Sequence, residues 1–230
     1  MNPIGGLHHI TAMTKNQQTN LDFYRWVLGQ RLVKTTVNFD DPSTYHLYYS
    51  DHVGTPGANL TFFVWQNIVS GQPGAGETIA AAYNLPSTDL EYWKDRFTSF
   101  KIPIVDQGER FGDPYLNIED PSGMRIDIIA QQDNTELMPW EDSPVDPANA
   151  LQGFHSVTLE IKKLDSTVEI LTDILGYQSP QHENDRYRLE SAGGGLASTI
   201  DLLHHPDAAK PRFGAGSIHH IAFRVENDEE

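Results

Sequence analysis

The chain has 230 residues, with 16 Lys plus Arg against 32 Asp plus Glu for a formal charge of −16, and it is 38% hydrophobic and 10% aromatic. That apolar content fills a packed core, while so acidic a surface repels phosphate backbones and anionic lipid and argues against nucleic acid or membrane partners. It contains no cysteine, so disulfides and thiolate chemistry are excluded and any metal site must be built from His, Asp and Glu.

The N-terminal segment Met1-Asn2-Pro3-Ile4-Gly5-Gly6 lacks the basic and apolar regions of a signal peptide. No apolar run is long enough to span a bilayer as a helix, so the expected location is the cytoplasm. Three short segments then share one pattern: Gly6-Leu7-His8-His9-Ile10-Thr11, Gly153-Phe154-His155-Ser156-Val157-Thr158 and Ser217-Ile218-His219-His220-Ile221-Ala222. Their spacing fits a unit of about 65 to 75 residues whose second copy lacks the His.

In chain order, the first strand is followed by a polar turn and an amphipathic helix over residues 19–29, with Leu21, Tyr24, Leu28 and partly Phe23 and Val27 on its apolar face. Gly29 ends it as a C-cap. Alternating strands follow over Val33 to Asn38, Tyr45 to Tyr49 and Asn59 to Trp65. The second unit has a helix from Asp89 to Phe100 and strands over Arg110 to Glu119 and Met124 to Ala130, the last two joined by the tight-turn sequence Asp120-Pro121-Ser122-Gly123. The third unit repeats the helix from Ser166, a plausible N-cap, to the same Leu-Gly ending at Leu175-Gly176.

The chain therefore reads as α+β, built of tandem βαβββ modules at about 5–70, 76–132 and 151–206, with the first strand of a fourth at about 215–226. Residues 71–76 and the Asp- and Pro-rich run 132–150 read as linkers, the longer dividing an N-terminal pair of modules (1–135) from a C-terminal pair (150–230). Asn227-Asp228-Glu229-Glu230 reads as the cap and acidic first turn of a further helix. One strand alone cannot bury its faces, so the fourth module reads as truncated, a natural end with a charged tail being the alternative.

Paired βαβββ modules with a His on the first strand resemble the vicinal oxygen chelate superfamily of glyoxalases, fosfomycin resistance proteins and extradiol dioxygenases. Leu7-His8-His9-Ile10-Thr11, Tyr45-His46-Leu47-Tyr48-Tyr49, Gly54-Thr55-Pro56-Gly57, Arg110-Phe111-Gly112, Gly153-Phe154-His155-Ser156, Ile200-Asp201-Leu202-Leu203-His204 and Ile218-His219-His220 narrow it. Together they look like the four-module ring-cleaving dioxygenases that act on hydroquinones. The resemblance implies paired modules forming cupped mixed sheets and one Fe(II), with Mn, Zn or Ni as other metals, held by His9 and His220. It places the third ligand, a Glu, on the last strand of module four, beyond residue 230. It implies a small aromatic substrate and O2 as partners, and self-association is compatible with it.

The residues add their own argument. Neighbouring strand residues point to opposite faces, so His8 and His9 do not both face a metal in a regular pleat. The position of His8 is His in all three strands, whereas that of His9 is Ser156 in the third module, which favours His9 and His220 as the metal ligands. His8, Thr11 and His219 resemble the family's substrate-contacting, catalytic positions, a role that for the two histidines requires a strand end or bulge; a satisfied structural histidine is the plain alternative.

The other histidines carry less. His46 reads as a packed strand residue, His204 and His205 as a strand end, and His52 and His182 as loop residues. Asp127 and Asp201 fall near the last strands of modules two and three, where a second cup would offer carboxylates without imidazoles. Some of Tyr45, Tyr48, Tyr49, Phe62, Phe63 and Trp65 line an aromatic pocket and more are core. The function expected is an Fe(II)-dependent ring-cleaving dioxygenase for hydroquinone or catechol-like rings, with low metal occupancy and impaired activity expected of the 230-residue chain by itself. The alternatives are a glyoxalase-like isomerase or hydrolase and a non-catalytic small-molecule binding protein.

Overall fold

The computed structural model describes residues 4–86, 90–131, 137–225 and 227. Asp89, the start expected for the second helix, most of the acidic tail and residues 132–136 of the longer linker lie outside them.

Among the described residues thirteen strands form two curled sheets. The five-stranded sheet has β1 (Leu7–Thr14) beside β13 (Ile218–Phe223), then β4 (Asn59–Val64), β3 (Tyr45–Ser50) and β2 (Arg31–Val37), in the order β13-β1-β4-β3-β2. The eight-stranded sheet joins β5 (Glu77–Leu85), β6 (Ile104–Arg110), β7 (Asp113–Glu119) and β8 (Arg125–Ala130) to β9 (Phe154–Ile161), β10 (Gln181–Glu183), β11 (Arg186–Glu190) and β12 (Thr199–His204). Its order is β10-β11-β12-β9-β5-β8-β7-β6.

The α+β modular fold is thus present, but the modules do not pair along the division the long linker suggests. Module one shares its sheet with the module-four strand, and module two with module three. The reason is the first strands: β1 hydrogen-bonds antiparallel to β13, and β5 to β9, each giving its partner a paired edge in place of an open one. Residues 71–76 are tied down by bridges from Ser70 to Ala215 and from Gln72 to Arg212.

Each sheet packs one face on helices. Alternation puts Ile10, Ala12, Leu47, Tyr49, Leu60 and Phe62 of the first sheet inward, against Phe23, Tyr24 and Leu28. Helix α1 (Gln17–Asp22), capped by the Asn16 side chain on the Thr19 N–H, continues into a π-helical turn over Phe23–Val27. The wider turn is closed by the Leu28 N–H on the Phe23 carbonyl at 3.0 Å, and Phe23, Tyr24, Val27 and Leu28 are all buried. Gly29 (φ 74°) and Gly176 (φ 73°) end the first and third helices in the left-handed region expected of them.

Helix α2 (Glu91–Phe100) buries Trp93 and Phe97 completely on the second sheet, worth roughly 2–3 kcal/mol each. Helix α3 (Leu164–Glu169) has Lys163 at its cap position and Ser166 inside, so the expected Ser cap is three residues late. The single strand expected over Arg110 to Glu119 is two, turning at Phe111 and Gly112, both at positive φ. The opposite, polar faces of the two sheets are left as cups.

Candidate metal centre

The cup of the five-stranded sheet is built on the β1–β13 pair. His9 pairs with Ala222 and Thr11 with His220, a register in which an internal two-fold exchanges His9 with His220. Their Nε2 atoms face each other at 3.1 Å although 211 positions separate them. The Thr11 hydroxyl, two residues from His9 on the same face, lies 3.0 Å from His220 Nε2.

The pleat is broken where the expectation required. The register slips between Leu7 and His9 on β1, and between His220 and Ile218 on β13, so His8 and His219 are the extra residues of two bulges. Each outer ring thereby swings beside its inner neighbour: Nδ1 of His8 is 3.0 Å from Nδ1 of His9, and Nδ1 of His219 is 2.8 Å from Nδ1 of His220. All four imidazoles form one row, with His8, His219 and His220 exposed and His9 half-buried.

The bulge at His8 is held by the Gly54-Thr55-Pro56-Gly57 turn. The Asp51 carboxylate accepts from the Gly54 and Thr55 N–H groups, both at 2.8 Å, and from the Thr55 hydroxyl at 2.6 Å. The turn then sends the Gly57 N–H to the His8 carbonyl and receives the Phe154 N–H on the Gly57 carbonyl, each at 2.8 Å.

Under the row, Thr11 Oγ1 meets Thr61 Oγ1 at 2.8 Å, Thr61 meets His46 Nε2 at 2.9 Å, and His46 Nδ1 meets the Tyr48 hydroxyl at 2.9 Å. His46 was expected to be a packed strand residue, and it is packed, on Phe63 and Tyr48. It also stands on the cup face of β3, a placement visible only once β3 and β4 are in register. Phe63, Trp65 and Phe213 surround the His219 ring at 5.3–6.2 Å between centroids and make an aromatic wall. Of the other expected aromatics, Tyr49 and Phe62 are core and Tyr45 is exposed.

Burial and neighbouring imidazoles favour the neutral form of His9, His46, His219 and His220. Burial, then His220 and His8, push His9 down to about 4; burial, then His9, His220 and Lys34, do the same to His46. Burial lowers His219 and His220 as well, the latter with His219 adding to it. Neutral nitrogens are what a metal requires. Two cis ligands at about 2.1 Å from an octahedral ion stand about 3.0 Å apart, so the His9–His220 nitrogen spacing fits a shared divalent metal. No group of three or more His, Asp or Glu residues suited to a metal occurs among the described residues.

The second cup differs at the corresponding positions. Its register pairs Ala80 with Thr158 and Ala82 with Ser156, so Ala80 and Ser156 stand where His9 and His220 stand in the first. Asp127 and Asp201, opposite Ala82 and Thr158, take the place that Thr61 holds opposite Thr11. Both carboxylates are committed to arginines. His204 and His205 close a strand end, His205 between Glu160 and Asp185 at 2.8 Å each.

Residues 6–128 match the model of the Glyoxalase/Bleomycin resistance protein/Dioxygenase superfamily. The chain belongs to this superfamily. It is 40% identical over 225 residues to MhqO of Bacillus subtilis (strain 168), a provisionally named ring-cleaving dioxygenase, covering 98% of this chain and 71% of that protein. To the chlorohydroquinone/hydroquinone 1,2-dioxygenase of Sphingobium indicum it is 33% identical over 227 residues, covering 96% of this chain and 71% of the relative. A crystal structure of a provisionally assigned Bacillus subtilis dioxygenase superposes with a TM-score of 0.93 at 38% identity, over all of this chain and 73% of that one. Glyoxalase I from Zea mays shares the fold alone, with a TM-score of 0.69 at 13% identity. Among the described residues of this superfamily member no helix is long and apolar enough to cross a membrane.

Proposed function

We propose that the protein is an Fe(II)-dependent ring-cleaving dioxygenase acting on hydroquinone or catechol-like aromatics, with His9 and His220 as two of its metal ligands. The observation that carries this reading is the 3.1 Å approach of the two Nε2 atoms beside an aromatic wall. The names of the relatives support the reaction class. In the family reading the remaining ligand is a Glu that is not among these residues, and Mn, Zn or Ni would suit the same imidazoles.

When bound, iron supplies the redox-active centre that lets a closed-shell aromatic react with dioxygen. The chain's own residues bind and orient. Phe63, Trp65 and Phe213 flank the ring of a flat substrate, and Thr11 presents its hydroxyl to a phenolic oxygen. His8 and His219 hold the Nδ1 side of the two inner imidazoles and fix their orientation, as partners of metal-bound histidines do. From the exposed rim they are also placed to accept the phenolic proton. Thr61, His46 and Tyr48 anchor the Thr11 hydroxyl from below.

The test is anaerobic loading of the full-length protein with Fe(II), followed by oxygen uptake with hydroquinone. Uptake stoichiometric with hydroquinone consumed, lost in His9→Ala and His220→Ala, is expected. Full iron occupancy without uptake would overturn the reading.

A further inference from the structure

The eight-stranded sheet curls until its two edge strands meet. The Phe111 N–H, at the turn between β6 and β7, donates to Glu183 Oε2 on β10 at 2.7 Å, closing the cup of modules two and three across its mouth. The Arg188 guanidinium covers the Phe111 ring 4.4 Å from its centroid and reinforces the closure. The cup holds a half-open cavity of about 260 Å³.

Its lining is unusual for so acidic a chain. Three guanidiniums, Arg110, Arg125 and Arg186, face two carboxylates, Asp106 and Asp127, leaving the cavity wall with a positive balance while the whole chain carries −16. Asp106 already accepts from the Tyr115 hydroxyl at 2.6 Å, and Asp127 accepts from Asn117 at 2.6 Å and from Arg110.

Arg110 and Arg186 are mostly buried, each 14% exposed, and neither is used up by its partners. Arg110 reaches Asp127 through Nη1 and lies on the Tyr115 ring, its guanidinium carbon 3.7 Å from the centroid. Arg186 sends Nη1 alone to Thr158, at 3.0 Å, and to Asp201, at 3.2 Å. Both line the cavity, and the hydrogen bonds they make to Asp127, Thr158 and Asp201 run through Nη1. A guanidinium edge of Nε and Nη2 is the fork that receives a carboxylate through two parallel hydrogen bonds.

We propose that the cup of modules two and three binds a small organic carboxylate, received by the guanidiniums of Arg110 and Arg186 with Asn117 and Thr158 beside them. The site is separate from the histidine row and does not depend on the metal or on the proposed reaction. Its selectivity follows from shape: a planar guanidinium matches a planar carboxylate, and a cavity of about 260 Å³ suits a small acid.

The experiment titrates the full chain, without metal, with succinate, benzoate and inorganic phosphate while following the Arg side-chain Nε–H resonances by NMR. Saturable shifts of Arg110 and Arg186 with at least one carboxylate at or below about 1 mM are expected, with the Asp127 or Asp201 environment moving in parallel. Arg110→Lys and Arg186→Lys, which keep charge but lose the fork, are expected to weaken binding at least about tenfold. Unshifted wild-type resonances up to about 10 mM of both acids would overturn the proposal, whether or not the variants fold. Binding of phosphate in preference to both acids would overturn the carboxylate assignment.

Discussion

The backbone N–H of Gly57 donates to the carbonyl of His8 at 2.8 Å, tying the Thr-Pro-Gly turn to the bulge that brings His8 beside His9. Gly57 sits at φ 91°, and a Cβ there would meet Leu196 side-chain carbons at 3.0 Å. Gly57→Ala is therefore expected to lose about 1–2 kcal/mol in urea unfolding and to weaken metal binding by about tenfold through the displaced bulge. Unchanged stability and affinity would mean that the turn does not position the site.

Asp120 heads the β7–β8 turn, where its carboxylate accepts from the Ser122 N–H at 2.7 Å, the Met124 N–H at 2.9 Å and the Tyr24 hydroxyl at 3.1 Å. Burial nevertheless pushes its carboxyl from the ordinary 3.8 up to about 6. The folded state then retains a proton that the unfolded chain has already released, so this group's contribution to stability is present below about pH 4 and is lost as pH rises through about 6. Asp120→Asn keeps a side-chain acceptor and removes the titration. The difference in urea-unfolding free energy between variant and parent should shift in the variant's favour across that window, by on the order of 3 kcal/mol, and stay constant above it. A difference that is flat with pH contradicts the assignment.

Asp201 is 1% exposed at its side chain and accepts from Arg188 Nε at 2.9 Å and from Arg186 Nη1 at 3.2 Å. Asp201→Ala strands two mostly buried guanidiniums, and a loss of about 3–5 kcal/mol or failure to fold is expected. Thermal unfolding of the milder Asp201→Asn, expected between the parent and the alanine variant, checks it without requiring the latter to fold.

His46 links Thr61 to Tyr48 beneath the histidine row, its Nε2 held by the Thr61 hydroxyl. His46→Gln is expected to lower kcat for hydroquinone roughly tenfold to a hundredfold while metal affinity changes only a few-fold. Loss of metal binding equal to that in His220→Ala would instead make His46 a ligand.

The repeats made much of this legible. Aligning the three first strands separates His9 and His220 from His8, His155 and His219, and the Leu-Gly endings locate two helix ends that the structure places at positive φ. Alternation likewise puts Thr11 on the face of His9. What could not be read was pairing. A repeat unit carries the same edges in every copy, and only the β1–β13 and β5–β9 hydrogen bonds decide which copies share a sheet. His46 and the Arg110–Asp127 and Arg186–Asp201 pairs were missed for the same reason, since each acquires its neighbours through cross-strand register. The bulges were inferred from need, because two adjacent histidines cannot serve one site in a regular pleat.

The most direct test of the His9–His220 centre is a Zn2+ titration of the chain at pH 7 followed through the imidazole 15N resonances. Simultaneous, stoichiometric change at Nε2 of His9 and His220, with His155, His204 and His205 unmoved, is the result expected. Binding that moves other histidines first, or leaves His9 and His220 independent of each other, would contradict a metal shared between the two ends of the chain.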